Sequence, residues 1–124
     1  MPFLFLNAYF HLVRFEFYLA RGNFAKLHRT IREQPLGLRS RDPNAIEGVC
    51  YAVDIACLWY WKEVFCLQRS AVTTFLLKKH GIAAQLVLGA QQLPFKAHAW
   101  VEVSGRVVND KPYMRDIYAV LDRC

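Results

Sequence analysis

From Cys66 to Gly81 the chain reads CLQRSAVTTFLLKKHG, and its apolar positions Leu67, Ala71, Val72, Phe75, Leu76 and Leu77 cover more than half of a helical circumference. That wheel predicts a largely buried helix. Lys78 and Lys79 suit the negative end of its dipole, and Gly81 suits the left-handed residue that follows a helix. From Ile82 the period drops to two. Ala84, Leu86 and Leu88 alternate with Ala83, Gln85 and Val87, which predicts a strand ending at Gly89. Ala90 to Phe95 reads as a loop, Lys96 to Val103 (KAHAWVEV) as a second strand and Arg106 to Asp110 (RVVND) as a third. Pro112 stops it, and Met114 to Leu121 adds a short helix or strand.

Upstream the pattern is helical. Leu6, Phe10, Val13, Phe17 and Ala20 recur at threes and fours, with Pro2 in the first turn. Gly22 and Asn23 interrupt, and Phe24 to Gln34 forms a second helix that Pro35 and Gly37 end. Leu38 to Pro43 (LRSRDP) reads as a linker, which divides the chain into an N-terminal helical extension, residues 1–42, and a core domain, residues 43–124. A third helix runs from Asn44 to about Tyr60, with Ile46, Val49, Val53, Ala56 and Tyr60 on one face. The aromatic segment Trp59 to Phe65 then leads into Cys66.

The turn between the last two strands sets which residues oppose each other. A two-residue loop, Ser104-Gly105, opposes His98 to Lys111 and sends Asp110 to the other face. A three-residue loop, Val103 to Gly105, with Gly105 as the left-handed residue of a G1 bulge, places His98 directly across from Asp110. It also pairs Trp100 with Val108 and Glu102 with Arg106, so cross-strand pairing favours the three-residue register.

With 124 residues, 55% hydrophobic and 15% aromatic, the chain is one folded domain and not a disordered one. The net charge of +6 is concentrated at one end, because residues 1 to 41 hold seven Lys/Arg against Glu16 and Glu33. Such a segment can attract an acidic peptide, nucleic acid or an anionic membrane surface, or simply form a solvated helix face. No nucleic-acid reader motif accompanies it. The apolar run Phe3 to Ala20 is broken by Asn7, His11, Arg14 and Glu16, which makes it an amphipathic helix and not a span. Its apolar face has the domain, a partner or a membrane surface to meet. Without a basic n-region or a cleavage site, a reduced cytoplasmic setting is expected.

Cys50, Cys57, Cys66 and Cys124 show no C-x-x-C spacing, and no histidine sits at a ligand interval from two of them, so no metal site is expected. Cys50 and Cys57 lie on one side of one helix and read as small core residues. Cys66 differs. A cysteine at a helix N-terminus meets unpaired N–H groups and the positive dipole end, which favour thiolate. His98 supplies a base, and Asp110 can hold its tautomer. Each alone is more often structural; together they form a candidate triad. His11, His28 and His80 are poorly placed to compete.

These stretches carry a family resemblance. CLQRSAVTTFLLKKHGIAAQLVLGA followed by FKAHAWVEVSGRVVND resembles the transglutaminase-like, papain-superfamily domain of lasso-peptide maturation proteases, the B2-type or microcin J25-processing B-protein C-terminal family. The likeness covers about Ala45 to Asp110. It implies an α+β fold with a central nucleophile helix packed on a small antiparallel sheet. It implies Cys66 as nucleophile, His98 as general base and later acid, and Asp110 as orienter. The implied activity is hydrolysis of a precursor peptide that releases its leader, so that a separate cyclase can close the macrolactam ring. Some members need ATP, yet this sequence holds no Gly-rich phosphate loop and no cofactor is expected. Fused members carry a strand-rich leader-recognition module first; the helical first 42 residues do not match it, so a separate leader-binding partner is implied. The Cys66 N–H is the natural first oxyanion donor, the second is not identified, and Gln68 suits that role poorly. The rival readings are an acyl transferase that joins the thioester to an amine, a non-catalytic peptide-binding module, and a nucleic-acid binder.

Overall fold

The computed structural model describes residues 2–37, 44–92 and 95–124. In chain order the elements are α1 (Pro2–Ala20), α2 (Phe24–Glu33), α3 (Ala45–Trp59), α4 (Cys66–Lys79), β1 (Ala84–Gln92), β2 (Phe95–Val103), β3 (Arg106–Val107), α5 (Met114–Ile117) and β4 (Ala119–Arg123). The expected linker Leu38–Pro43 lies outside the described residues, as do Leu93 and Pro94 of the expected loop. The sheet order is β3-β2-β1-β4, with every neighbour antiparallel. This is the expected α+β arrangement.

α4 is the central element, packed against α1, α3, β1 and β2. Every residue from Ser70 to Leu77 is buried. Its buried polar groups are satisfied: the Thr73 and Thr74 hydroxyls donate to the carbonyls of Arg69 and Ser70, each at 2.9 Å, so burial costs the helix no orphaned hydroxyl. It stops in a Schellman motif. Gly81 stands at φ +80°, its N–H donates to Lys78 O at 3.0 Å, and the Ile82 N–H donates to Leu77 O at 2.9 Å.

α1 buries Ala8, His11, Leu12 and Phe15, one helical stripe, while Leu6, Phe10 and Phe17 of the expected apolar face are exposed. The helix is apolar on most of its circumference, so periodicity alone could not choose the inward face. Leu12 and Phe15, together with Leu27 and Ile31 of α2, share one core with α3, α4 and the sheet. Each such side chain contributes about 1.5–3 kcal/mol by its burial. α3 buries Val49, Ala52, Val53 and Ala56, close to the face expected.

The sheet departs from expectation in two places. β1 does not end at Gly89 but runs to Gln92, so part of the expected Ala90–Phe95 loop is strand. The β2–β3 register is also different, with Glu102 opposite Val107 and Val103 opposite Arg106. The loop is therefore the two residues Ser104 and Gly105, at φ +52° and +77°. Positive φ at both central residues marks a type I′ turn, whose twist matches that of the flanking strands. The backbone preference of the turn outweighed the side-chain pairs that favoured a three-residue loop.

Candidate active site

Cys66 is the first residue of α4, and Phe65 before it supplies no side-chain cap. No acidic residue occupies the first turn, so the N–H groups of this helix end are open to an anion. The thiol is partly exposed and has no hydrogen-bond partner among the described residues. Burial pushes the thiols of Cys50, Cys57 and Cys124 each up to about 11, with nearby carboxylates adding to the effect. All three are therefore protonated near neutral pH.

β2 presents alternate residues to opposite sides. Ala99, Val101 and Val103 join the core beneath the helices, and Trp100 packs on the far face with Val87, Met114 and Tyr118. His98 stacks beside Trp100 and Tyr118, with ring centroids 6.3 and 5.3 Å away. Its Nε2 lies 2.7 Å from Asp110 Oδ2. A carboxylate only accepts, so Nε2 is the protonated nitrogen that donates to it. Burial works to raise the Asp110 pKa. The hydrogen bonds from His98 and the Lys111 N–H, with the charges of His98 and Arg69, outweigh it and hold the carboxyl below its ordinary value.

The His98–Asp110 pair forms despite the two-residue register, and Asn109 explains how. β3 is only two residues long; its last ladder bond runs from the Val108 N–H to Val101 O at 3.0 Å. The Val101 N–H is then taken by the side chain Asn109 Oδ1 at 2.8 Å. The main chain can leave the ladder there and swing Asp110 round to His98. The Asn109 amide also donates to Ser70 Oγ at 2.9 Å, and the Ser70 hydroxyl donates to Ala99 O at 3.2 Å. Arg69 Nη2 donates to Asn109 O at 3.1 Å. Ser70 and Arg69 belong to the first turn and a half of α4, so these bonds tie the Cys66 end of the helix to the strand that bears His98. Asn109, Ser70 and Arg69 were not singled out in the sequence. Their only signal was an Asn-Asp pair where an alternating strand stops.

The three predicted site residues are therefore placed as follows. The structure brings His98 and Asp110 together in a hydrogen bond; Cys66 stands at the open end of α4, a helix tied to the neighbouring residues Ala99 and Asn109, and among the described residues no hydrogen bond joins its sulfur to His98 or Asp110. Gln68 is buried, and its amide donates to Leu12 O at 2.7 Å, so it serves the α1–α4 contact. A second pair, His28 Nε2 and Asp122 Oδ2 at 2.6 Å, ties α2 to β4. Among the described residues no group of three or more His, Cys, Asp or Glu could hold a metal ion. No helix there is long and apolar enough to cross a membrane.

Comparison with known proteins gives two matches. The profile of the transglutaminase-like superfamily matches residues 10–123. The microcin J25-processing protein McjB of Escherichia coli is 45% identical over 56 residues, a segment that makes up 45% of this chain and 27% of that protein. No solved structure matches at a significant level.

Proposed function

The chain belongs to the transglutaminase-like superfamily, and on that premise we propose that it is a cysteine peptidase that cleaves the leader from a ribosomally made lasso-peptide precursor. The observation that carries the reading is the 2.7 Å bond between His98 and Asp110; α4, whose uncapped first residue is Cys66, is joined to the same strand by the Ser70 hydroxyl bond to Ala99 O. The likeness to a microcin J25-processing protein supports the substrate class.

The chemistry follows from the tautomer. Nδ1 of His98 takes the thiol proton of Cys66, while Asp110 stabilises the resulting imidazolium through Nε2–H. The thiolate attacks the scissile carbonyl, forming an S–C bond, and the N–H groups at the start of α4 meet the developing oxyanion. Collapse breaks the C–N bond, and His98 returns its proton to the departing amine of the core peptide. Water, deprotonated by His98, then displaces the leader acyl group from sulfur. In an unliganded site the sulfur–imidazole hydrogen bond is commonly long or unmade and tightens only with substrate bound. The leader is held by a separate recognition protein, and the released core passes to a cyclase. The setting is the cytoplasm, and no cofactor takes part in this chain's steps.

The test is incubation of the purified chain with a precursor, with and without a leader-binding protein, followed by mass spectrometry. The expected products are free leader and core. Cys66→Ala and His98→Ala variants that fold normally should produce neither. A product heavier than the precursor, with leader joined to an amine, would replace hydrolysis by acyl transfer. Undiminished turnover by Cys66→Ala would overturn the assignment.

A further inference from the structure

α1 is apolar on nearly its whole circumference, since Arg14 and Glu16 are the only charged residues among its 19. One stripe faces inward, where Ala8, Leu12 and Phe15 share the core with α3 and α4. A second stripe faces outward. Phe3, Leu6, Phe10, Val13 and Phe17 follow one another at alternating steps of three and four, which keeps them in line along the helix. Phe3, Leu6, Phe10 and Phe17 are 76%, 62%, 62% and 57% exposed. A helix apolar on all sides is normally covered on all sides. Among the described residues no helix is long and apolar enough to cross a membrane, so α1 is not covered by spanning one. The fold covers its inner stripe and leaves the outer one bare.

The charges beside the outer stripe point to its cover. Arg14 follows Phe10 by four positions and Arg21 follows Phe17 by four, so both neighbour the stripe on the helix surface. The Arg21 guanidinium lies 5.7 Å from the Phe17 ring centre, and Lys26 Nζ lies 4.9 Å from that of Tyr18. Among the described residues none of these three cations has a carboxylate partner. Glu16, the acid of α1, is taken by Lys62 Nζ at 3.0 Å. On that flank the Tyr9 ring meets Tyr60 and the Tyr60 ring meets the exposed Trp61, beside which Lys62 also stands. Protruding apolar rings with cations and amphipathic aromatics along their edges are the arrangement of a helix lying in a membrane interface. The rings enter the acyl boundary, the cations reach phosphates, and Trp and Tyr sit at head-group level. A second copy of the same face would set Arg14, Arg21 and Lys26 against like charges.

We propose that the outer face of α1 is a peripheral docking surface for an anionic membrane leaflet, with Phe3, Leu6, Phe10 and Phe17 among the acyl chains and Arg14, Arg21 and Lys26 on the lipid phosphates. The surface holds the protein at a membrane without crossing it. It uses no residue of the candidate triad and stands apart from the peptidase reading.

The test is co-sedimentation of the purified full chain with vesicles of phosphatidylcholine alone, and with vesicles of phosphatidylcholine and phosphatidylglycerol in equal parts, at low and at raised salt. The expected result is binding to the anionic vesicles that weakens as salt screens the charges, and little binding to the neutral ones. Phe10→Ser and Phe17→Ser are each expected to weaken the anionic binding about tenfold, through loss of inserted apolar area. Arg21→Gln combined with Lys26→Gln is expected to weaken it roughly twentyfold, about fivefold for each cation. These positions are exposed, so the urea midpoint of each variant should stay close to that of the parent and show that the fold is kept. Absence of binding to anionic vesicles, equal binding to both kinds, or binding that the phenylalanine variants leave unchanged would each overturn the proposal. A dimer, or a complex with a leader-binding protein, that Phe10→Ser abolishes in a chain indifferent to vesicles would overturn it too, and would give the face to a protein.

Discussion

Gly89 lies directly opposite His98 in the β1–β2 ladder, and replacing it with alanine tests how the histidine is held. A Cβ there would stand 2.7 and 2.8 Å from Trp100 Cη2 and Cζ3, and 2.9 Å from Tyr118 Cβ. Carbon atoms in contact normally sit about 3.5–4.0 Å apart. Trp100 cannot swing away, since it is fully buried and its Nε1 donates to Glu102 Oε2 at 2.8 Å. Overpacking of this kind costs about 1–3 kcal/mol. Removing a glycine from a strand interior returns about 0.5–1 kcal/mol, so Gly89→Ala should lose on the order of 1–2 kcal/mol. Gly48 in α3 is the matched control, with nothing within 4 Å of its added Cβ; Gly48→Ala should gain about 1 kcal/mol. With a urea dependence of about 1–3 kcal/mol per molar, the two midpoints should separate by on the order of 1 M. Because Trp100 and Tyr118 also flank the His98 ring, peptide cleavage by Gly89→Ala should fall further than the folded fraction does. A Gly89→Ala protein as stable as the parent would refute the close packing of Trp100 across β1.

Asp110→Asn should lower kcat/KM for peptide cleavage by roughly 10³–10⁴-fold through loss of the productive His98 tautomer, far more than the modest fall in the urea midpoint accounts for; cleavage within tenfold of the parent would remove its role as orienter. Glu102→Ala should cost about 2–4 kcal/mol in a urea melt, because the buried carboxylate accepts from Arg123 Nη1 at 2.7 Å and Trp100 Nε1 at 2.8 Å. His11 is lowered from 6.5 to about 4 by burial, with Lys79 and Arg14 adding to the effect. The unfolded chain therefore takes up a proton that the folded one refuses. Stability is full above pH 6.5 and declines as the pH falls toward 4, by about 2 kcal/mol at pH 5. Urea midpoints measured against pH should show this slope, and His11→Met should flatten it. The lowered Asp110 carboxyl acts in a more acidic window. Its contribution is present above the ordinary value of 3.8 and is lost as the pH falls through the folded value beneath it.

What the sequence revealed was local. Cys66 opens α4 and Gly81 ends it as expected, because an apolar wheel, two terminal lysines and a glycine all act within a few residues of one another. The same holds for the buried face of α3. The hairpin register was misread because side-chain pairs were weighed above the turn, where Ser104 accepts a positive φ that fixes a two-residue loop. The His98–Asp110 pair was reached from the sequence by that mistaken register. It forms by a different route, in which Asn109 Oδ1 replaces a ladder carbonyl and releases the chain. The clamp of Arg69, Ser70 and Asn109 joins positions about 30 to 40 residues apart. No periodicity records such a bond. The inward face of α1 was equally hidden, since a helix apolar on most sides offers its fold several choices.

The most direct measurement is to mix the chain with precursor and leader-binding protein, quench in acid within seconds, and map any thioester by mass. The expected result is leader acyl mass on Cys66 alone, decaying as free leader and core accumulate, and no adduct on Cys50, Cys57 or Cys124. Cleavage that proceeds at full rate in Cys66→Ala, with no acyl group on any cysteine, would contradict it.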